Sequence, residues 1–391
     1  MERLVAKNVV VGAGAVGCAA AYHLARRGEP VVLVEQFGLG HARGSSHGAA
    51  RIIRHSYADP TYARLMPEAF RAWAELEADA GRSLYVRTGG VSFGPPGVGY
   101  VGRVAANLAD LGVSYRVMSG SEWNAAQPAF DLPADYEAVF EPDAGMVAAA
   151  RALEAEVELA RGAPGTRILA ETPVRRIDLD GERPTIVSDA LTIEAERLVL
   201  AAGSWIGRLV PELAATLRPT RQLVLYFRPP NPAPFQVGRF PTFIHMGPTP
   251  DEAFYGMPEF LAPGVKAARH GGPETDPDEP ATVAAADVAL VRDFLRRHLP
   301  VLAGAEVVAT ETCLYTVAPD ERFLVDSHPA RPDVIVASPC SGHGFKFSIL
   351  VGRLLADMAT GAPVAPAFDA WKRIPGSIAP EIRPCPRPSR G

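Results

Sequence analysis

The sequence predicts an α/β (α+β) fold, in which a Rossmann-like two-dinucleotide-binding domain is joined to a second, sheet-containing domain. Three observations carry that prediction. A glycine turn, Gly12-x-Gly14-x-x-Gly17, follows an apolar strand and opens a helix. A second apolar strand comes next and closes on an acid, Glu35. Much later, "RLVLAAGSW" is another apolar strand, running into Ala-Ala-Gly. Glycine turn, helix, strand and acid together are the context that a dinucleotide cradle requires.

Taken in order, "LVAKNVVVGAGAVGCAAAYHLARRGEPVVLVEQ" predicts a strand ending in Val9–Val11. A helix over 15–27 follows, stopped by Gly28, and then a strand over 31–34. A polar loop leads to a helical pattern over 62–80. "YVRTGGVSFG" alternates as a strand does, and 99–112 reads as a helix. Residues 147–202 read as helix, strand and a hairpin-rich stretch, and 219–228 as a further strand. The Pro-, Gly- and acid-rich segment 229–283 contains short strands at 253–257 and 264–268, with a helix predicted over 284–298. Strands near 307–317, 322–326 and 333–338 precede a last helix over 344–360, closed by Gly361. The tail after 375 is Pro-rich and is expected to lie over the surface.

A chain of 391 residues suits two or three domains, and 48% hydrophobic with 21% charged residues is ordinary for a globular protein. A net charge of −5 and a pI near 6.0 argue against nucleic-acid or anionic-membrane partners. No apolar run reaches the roughly 18 residues that span a bilayer, and the glycine-filled N-terminal stretch is no secretory core. Cys18, Cys313, Cys340 and Cys385 are scattered singly, which disfavours a zinc or disulfide framework. A reducing, cytoplasmic setting is therefore expected, with no metal. Only Lys7, Lys266, Lys346 and Lys372 among the 39 basic residues are lysines. A chain that writes arginine almost everywhere draws attention to a lysine buried in "SGHGFKFSIL".

In the cradle, Gly12 permits the turn, Gly14 lets a pyrophosphate approach the backbone, and Gly17 lets the helix close on the strand. The helix N-terminus brings a positive dipole end. Glu35 suits ribose hydroxyls and disfavours a 2′-phosphate. One glycine motif with a late Ala-Ala-Gly strand favours FAD over NAD.

These segments resemble a known family, the monomeric sarcosine oxidases and N-methyltryptophan oxidases of the FAD-dependent amino-acid oxidase superfamily. The likeness rests on "GAGAVGCAAAYHLARRG", "GSSHGAARIIRHSY", "FEPDAGM", "FYGMP", "CLYTVAPDERFLVD" and "SGHGFKFS", in that order over nearly the whole chain. It implies two discontinuous domains, FAD-binding over 1–84, 145–217 and 314–391, and catalytic over 85–144 and 218–313. By the same resemblance Cys313 is linked through sulfur to the flavin, and Tyr315 shares its strand face and lines the substrate pocket. Lys266 stands beside the flavin as a fixed charge favouring electron transfer to O₂. His270 and His47 are active-site histidines, Arg51 lies against the flavin, and Arg54 holds the substrate carboxylate bidentately. If "HGAARIIRH" is helical, Arg51 and Arg54 share a face. Tyr255 borders the pocket, and Arg43, Ser45, Val174, Gly203, Gly342 and Gly344 join the cofactor contacts. Lys346 is expected one turn into the last helix, opposite Arg54 on the carboxylate. The chain departs from the family at Ser46, Ala49 and Ala50, and at Pro339 and Cys340.

The activity so implied is oxidation of a secondary amino acid, foremost sarcosine or another N-methyl amino acid. Demethylation would release formaldehyde and the amino acid, with O₂ reduced to H₂O₂ by a monomer. N-methyltryptophan, a cyclic imino acid such as pipecolate or proline, and a dehydrogenase with another acceptor are the alternatives. A non-catalytic FAD-binding protein is the reading from a different class.

Overall fold

The computed structural model describes residues 2–372 and 374; the Pro-rich tail and Cys385 lie outside the described residues. The expected βαβ unit is present as β1 (Glu2–Val11), α1 (Ala15–Arg26) and β2 (Val31–Val34). Gly12 adopts φ +101°, and a Cβ on Gly17 would stand 1.8 Å from the Gly12 carbonyl oxygen. Glycine at both positions is therefore what lets α1 start directly against β1.

The first sheet has eight strands. Its parallel centre places Arg331–Ser338, Leu191–Leu200, β1, β2 and Arg167–Leu169 side by side. Leu191–Leu200 is shared along one edge: its first half pairs with the hairpin Val174–Asp178/Thr185–Ser188, its second half with Arg331–Ser338. The strand centres are buried on both faces, which explains their unbroken Val/Leu runs. α1 packs against helix Ala149–Gly162 and the last helix, Ser348–Thr360, in one core. A Cβ on Gly352 of the last helix would meet the Ala19 Cβ at 2.4 Å, so small residues bring those two helices into backbone contact.

The second sheet is mixed and also has eight strands, in the order Glu306–Val317, Arg218–Arg228, Val265–Arg269, Ala253–Met257, Thr242–Met246, Gly90–Gly94, Glu137–Glu141 and Arg116–Ser119. Helix Ala285–His298 covers its outer face, with Phe294 stacked on Phe254 at 4.2 Å. The small third sheet pairs β3 (Ala50–Ile53) and Tyr85–Arg87 with Gly145–Ala148. From Asp59, whose carboxylate caps the Thr61 amide, α2 (Pro60–Ala80) runs back to the cofactor-side core.

Several expectations change. The segment carrying Arg51 is a strand and not a helix, since Ala50–Ile53 pairs antiparallel with Gly145–Ala148 and has β-branched residues at 52 and 53. "YVRTGGVSFG" is two strands in different sheets, parted at Gly89 with φ +69°. The last helix begins at Ser348; residues Phe345–Phe347 form a separate 3₁₀ turn, so Lys346 precedes the helix. Strand Thr242–Met246 lies inside the segment that looked irregular.

Candidate active site

One cavity of about 990 Å³ runs between the first sheet and the inner face of the second. At its cradle end Gly12, Gly14, Glu35, Ser45, Val174 and Gly203 all line it. Glu35 accepts the amides of Ala13 (2.7 Å) and Phe37 (2.9 Å). Burial pushes its carboxyl up, but His41 and those two amides outweigh this and hold it low. Ser46, a departure from the family pattern, accepts the Ala15 amide at 2.9 Å and so serves the first turn of α1. Gly17 works behind the lining, and Arg43 lies off it with its guanidinium 4.4 Å from the Phe37 ring centre.

The second sheet supplies the middle of the cavity. Strand alternation turns Glu311, Cys313 and Tyr315 to one face, and Lys266 and His270 likewise. Burial, with Arg51 added, brings the Lys266 ammonium down to about 7. Burial raises the Cys313 thiol, and the charges of Arg51 and Lys266 only partly offset this. Tyr226 donates to Glu311 at 2.9 Å, placing a carboxylate among these cations. His47 lies here too, lowered by burial and by Arg51, with its Nδ1 unpartnered. Arg51 gives its donors to the carbonyls of Ser45, His47 and Ala50, tying down the 45–50 loop.

At the far end stand Arg54, Tyr57, Tyr255, His270, Tyr315 and Lys346. The phenols of Tyr255 and Tyr315 are hydrogen-bonded to each other, and burial pushes the first up to about 12. His270 is lowered to about 4 by burial, then by Lys346 and Arg54, so it is a neutral imidazole at pH 7. Gly342, φ +77°, lies under these rings: a Cβ there would stand 2.4 Å from His270 Cε1 and 2.5 Å from Tyr315. Gly344 is as tightly confined, its Cβ position 1.7 Å from the Pro339 carbonyl.

Lys346 Nζ donates to the Tyr57 hydroxyl and to the His343 carbonyl, both at 2.9 Å. Arg54 lies over the Tyr57 ring at 4.4 Å, and Lys346 is 5.3 Å from the same ring centre. Buried Arg54 Nε and Nη1 have no hydrogen-bond partner. A buried guanidinium left so is costly unless an anion meets it. Burial, then Arg54, holds the Lys346 ammonium well below its usual range. Tyr57, Glu311 and Tyr226 escaped the sequence reading: tyrosines and a strand-borne glutamate carry no motif.

The residues fit a flavin dinucleotide. The glycine cradle, the acid Glu35 that follows β2 and a cavity at the upper end of ligand-site volumes lie in one continuous space. Among the described residues no group of three or more His, Cys, Asp or Glu is placed to hold a metal ion, and no helix is long and apolar enough to cross a membrane.

The model of a family described as FAD dependent oxidoreductase matches residues 7–358. Monomeric sarcosine oxidase from Bacillus sp. (strain NS-129) is 35% identical, over 90% of this chain and 92% of that protein. N-methyl-L-tryptophan oxidase from Salmonella agona (strain SL483) is 31% identical, over 92% and 96%. Among solved structures, the open form of NikD, an unusual amino acid oxidase essential for nikkomycin biosynthesis, superposes with a TM-score of 0.81. It shares 28% identity and covers 94% of this chain and 97% of its own.

Proposed function

The chain belongs to the FAD-dependent oxidoreductase family, among relatives of the sarcosine and N-methyltryptophan oxidases, and on that footing we propose that it oxidises a small secondary amino acid, sarcosine or another N-methyl amino acid. The observation that carries this reading is the pair of buried, unpartnered nitrogens of Arg54, Nε and Nη1, beside Lys346 and Tyr57, in the same cavity as the glycine cradle. A substrate carboxylate satisfies those donors. When bound in that cavity, FAD would supply two-electron acceptor chemistry for the substrate carbon, with O₂ as the proposed final acceptor.

The chain's own groups do the rest. Arg54 binds the carboxylate, with Lys346 as second cation. Neutral His270 and the Tyr255–Tyr315 pair would border the amine, with His270 accepting a hydrogen bond from it. Arg51, His47 and Lys266 line the middle of the cavity, where positive charge favours O₂ reduction. Cys313, a buried free thiol on the cavity wall, is the proposed attachment point for the flavin. The described residues of cofactor-binding segments 1–84, 145–217 and 314–391 would enclose the cradle, with 85–144 and 218–313 forming the substrate side. We take the protein to act as a cytoplasmic monomer on this small molecule, without nucleic-acid or membrane partners.

Hydrogen peroxide release over a panel of N-methyl, cyclic and primary amino acids tests the reading. Turnover of the N-methyl members is expected, and no peroxide from any member would overturn it. The thiol link is tested separately: acid precipitation should leave flavin with the wild-type protein and release it from Cys313→Ser.

A further inference from the structure

We propose that Glu141, a residue of the second sheet, is the positioning residue that holds Arg54 in place for the substrate carboxylate. This rests on the carboxylate-binding reading above. β3 ends at Ile53, so Arg54 stands just beyond the backbone ladder that fixes Arg51. What fixes the next turn is a carboxylate from the other sheet. Glu141 is fully buried at the end of strand Glu137–Glu141. It accepts from the His55 amide (2.9 Å) and His55 Nδ1 (2.6 Å), and from the Ser56 amide (3.0 Å) and hydroxyl (2.8 Å). A buried carboxylate is tolerated only when paired and hydrogen-bonded, and here both partners come from two consecutive residues of one turn.

Two further contacts complete the turn. The His55 ring stacks on Phe70 of α2, centres 4.1 Å apart and planes within 7°. Asn107 donates to the Tyr57 carbonyl at 2.8 Å. Residues 55–57 are thereby held on several sides. Arg54 then lies over the Tyr57 ring, and Tyr57 accepts from Lys346. Glu141 touches neither Arg54 nor Lys346; it sets both through the turn. In Glu141→Gln one of the two acceptor oxygens becomes an NH₂ facing the N–H and O–H donors of His55 or Ser56, which loosens the register between the sheets.

The test uses the flavin-loaded protein, its Glu141→Gln and Ser56→Ala variants, and two planar probes read by flavin absorbance: pyrrole-2-carboxylate and the neutral pyrrole-2-carboxamide. Glu141→Gln should weaken the carboxylate about tenfold and Ser56→Ala roughly threefold, with carboxamide affinity unchanged. For the amino-acid substrate, KM should rise with kcat little changed. Ser56→Ala removes one bond only, so it serves if Glu141→Gln does not fold. Unaltered carboxylate affinity in the folded variants, or equal loss for both probes, overturns the proposal. So does a crystal structure of either variant with Arg54 still over the Tyr57 ring. A wild-type protein that does not favour the carboxylate over the carboxamide refutes the substrate reading instead, and the crystallographic arm then still decides the role of Glu141.

Discussion

Lys266 is only 4% exposed, and burial brings its ammonium to about 7. The charged form dominates below that value and is lost as pH rises through it. Reoxidation of the reduced enzyme by O₂ should therefore slow as pH rises past about 7. Lys266→Met should slow it by roughly 10²–10³-fold while leaving flavin reduction by substrate largely intact. Stopped-flow traces of the two half-reactions separate these outcomes, and equal loss in both would refute the assigned role. Arg51 and Arg54 show what a sequence does and does not reveal at this scale. They are three positions apart and chemically identical, yet one donates to three backbone carbonyls and the other keeps buried donors free. Residue type was legible; the difference in partners is set by where β3 stops.

At the scale of elements, the seam between α1 and the last helix governs the cradle, because α1 begins at the glycine turn. Gly352→Ala would drive a methyl group to 2.4 Å from Ala19 Cβ and 2.5 Å from its carbonyl carbon, neither on a flexible side chain. We expect about 1–3 kcal/mol of destabilisation, read by urea denaturation, with weaker cofactor retention than in a surface control such as Gly304→Ala, at φ −89° and with nothing within 4 Å of its added Cβ. The β1–α1–β2 unit was fully legible, since caps, period and glycines agreed over thirty residues. Strand Thr242–Met246 was not. Its apolar face shows only when it pairs with Gly90–Gly94, far away in sequence, and prolines and glycines on either side look like loop. The helical reading of the Arg51 segment failed for the same reason: its partner, Gly145–Ala148, is long-range. The turn at His55 looked like a plain polar stretch because its acceptor, Glu141, lies 86 residues on.

Across the whole molecule, both cores contain neutral histidines. His23 lies under the last helix, 3.0 Å from the Ile349 carbonyl, and is lowered by burial to about 3. His245 and His298 face each other at 5.1 Å in the aromatic core of the second sheet, lowered mainly by burial to about 4 and about 3. Each contributes its full stability above the unfolded value near 6.5 and loses it progressively as pH falls towards 3–4. At pH 5 the loss is about 2 kcal/mol for each. Urea midpoints should therefore drop steeply between pH 7 and 5, and a flat profile would contradict the neutral-core account. The first sheet adds a consequence in time. β1 pairs with Leu191–Leu200 from Glu2↔Leu191 to Val11↔Leu200, so the cradle strand emerges from the ribosome long before its neighbour exists. At synthesis rates of roughly 5–20 residues per second, its paired edge waits roughly 10–40 s. In a growing cell, the cradle strand is exposed to misassociation along that edge for the whole interval.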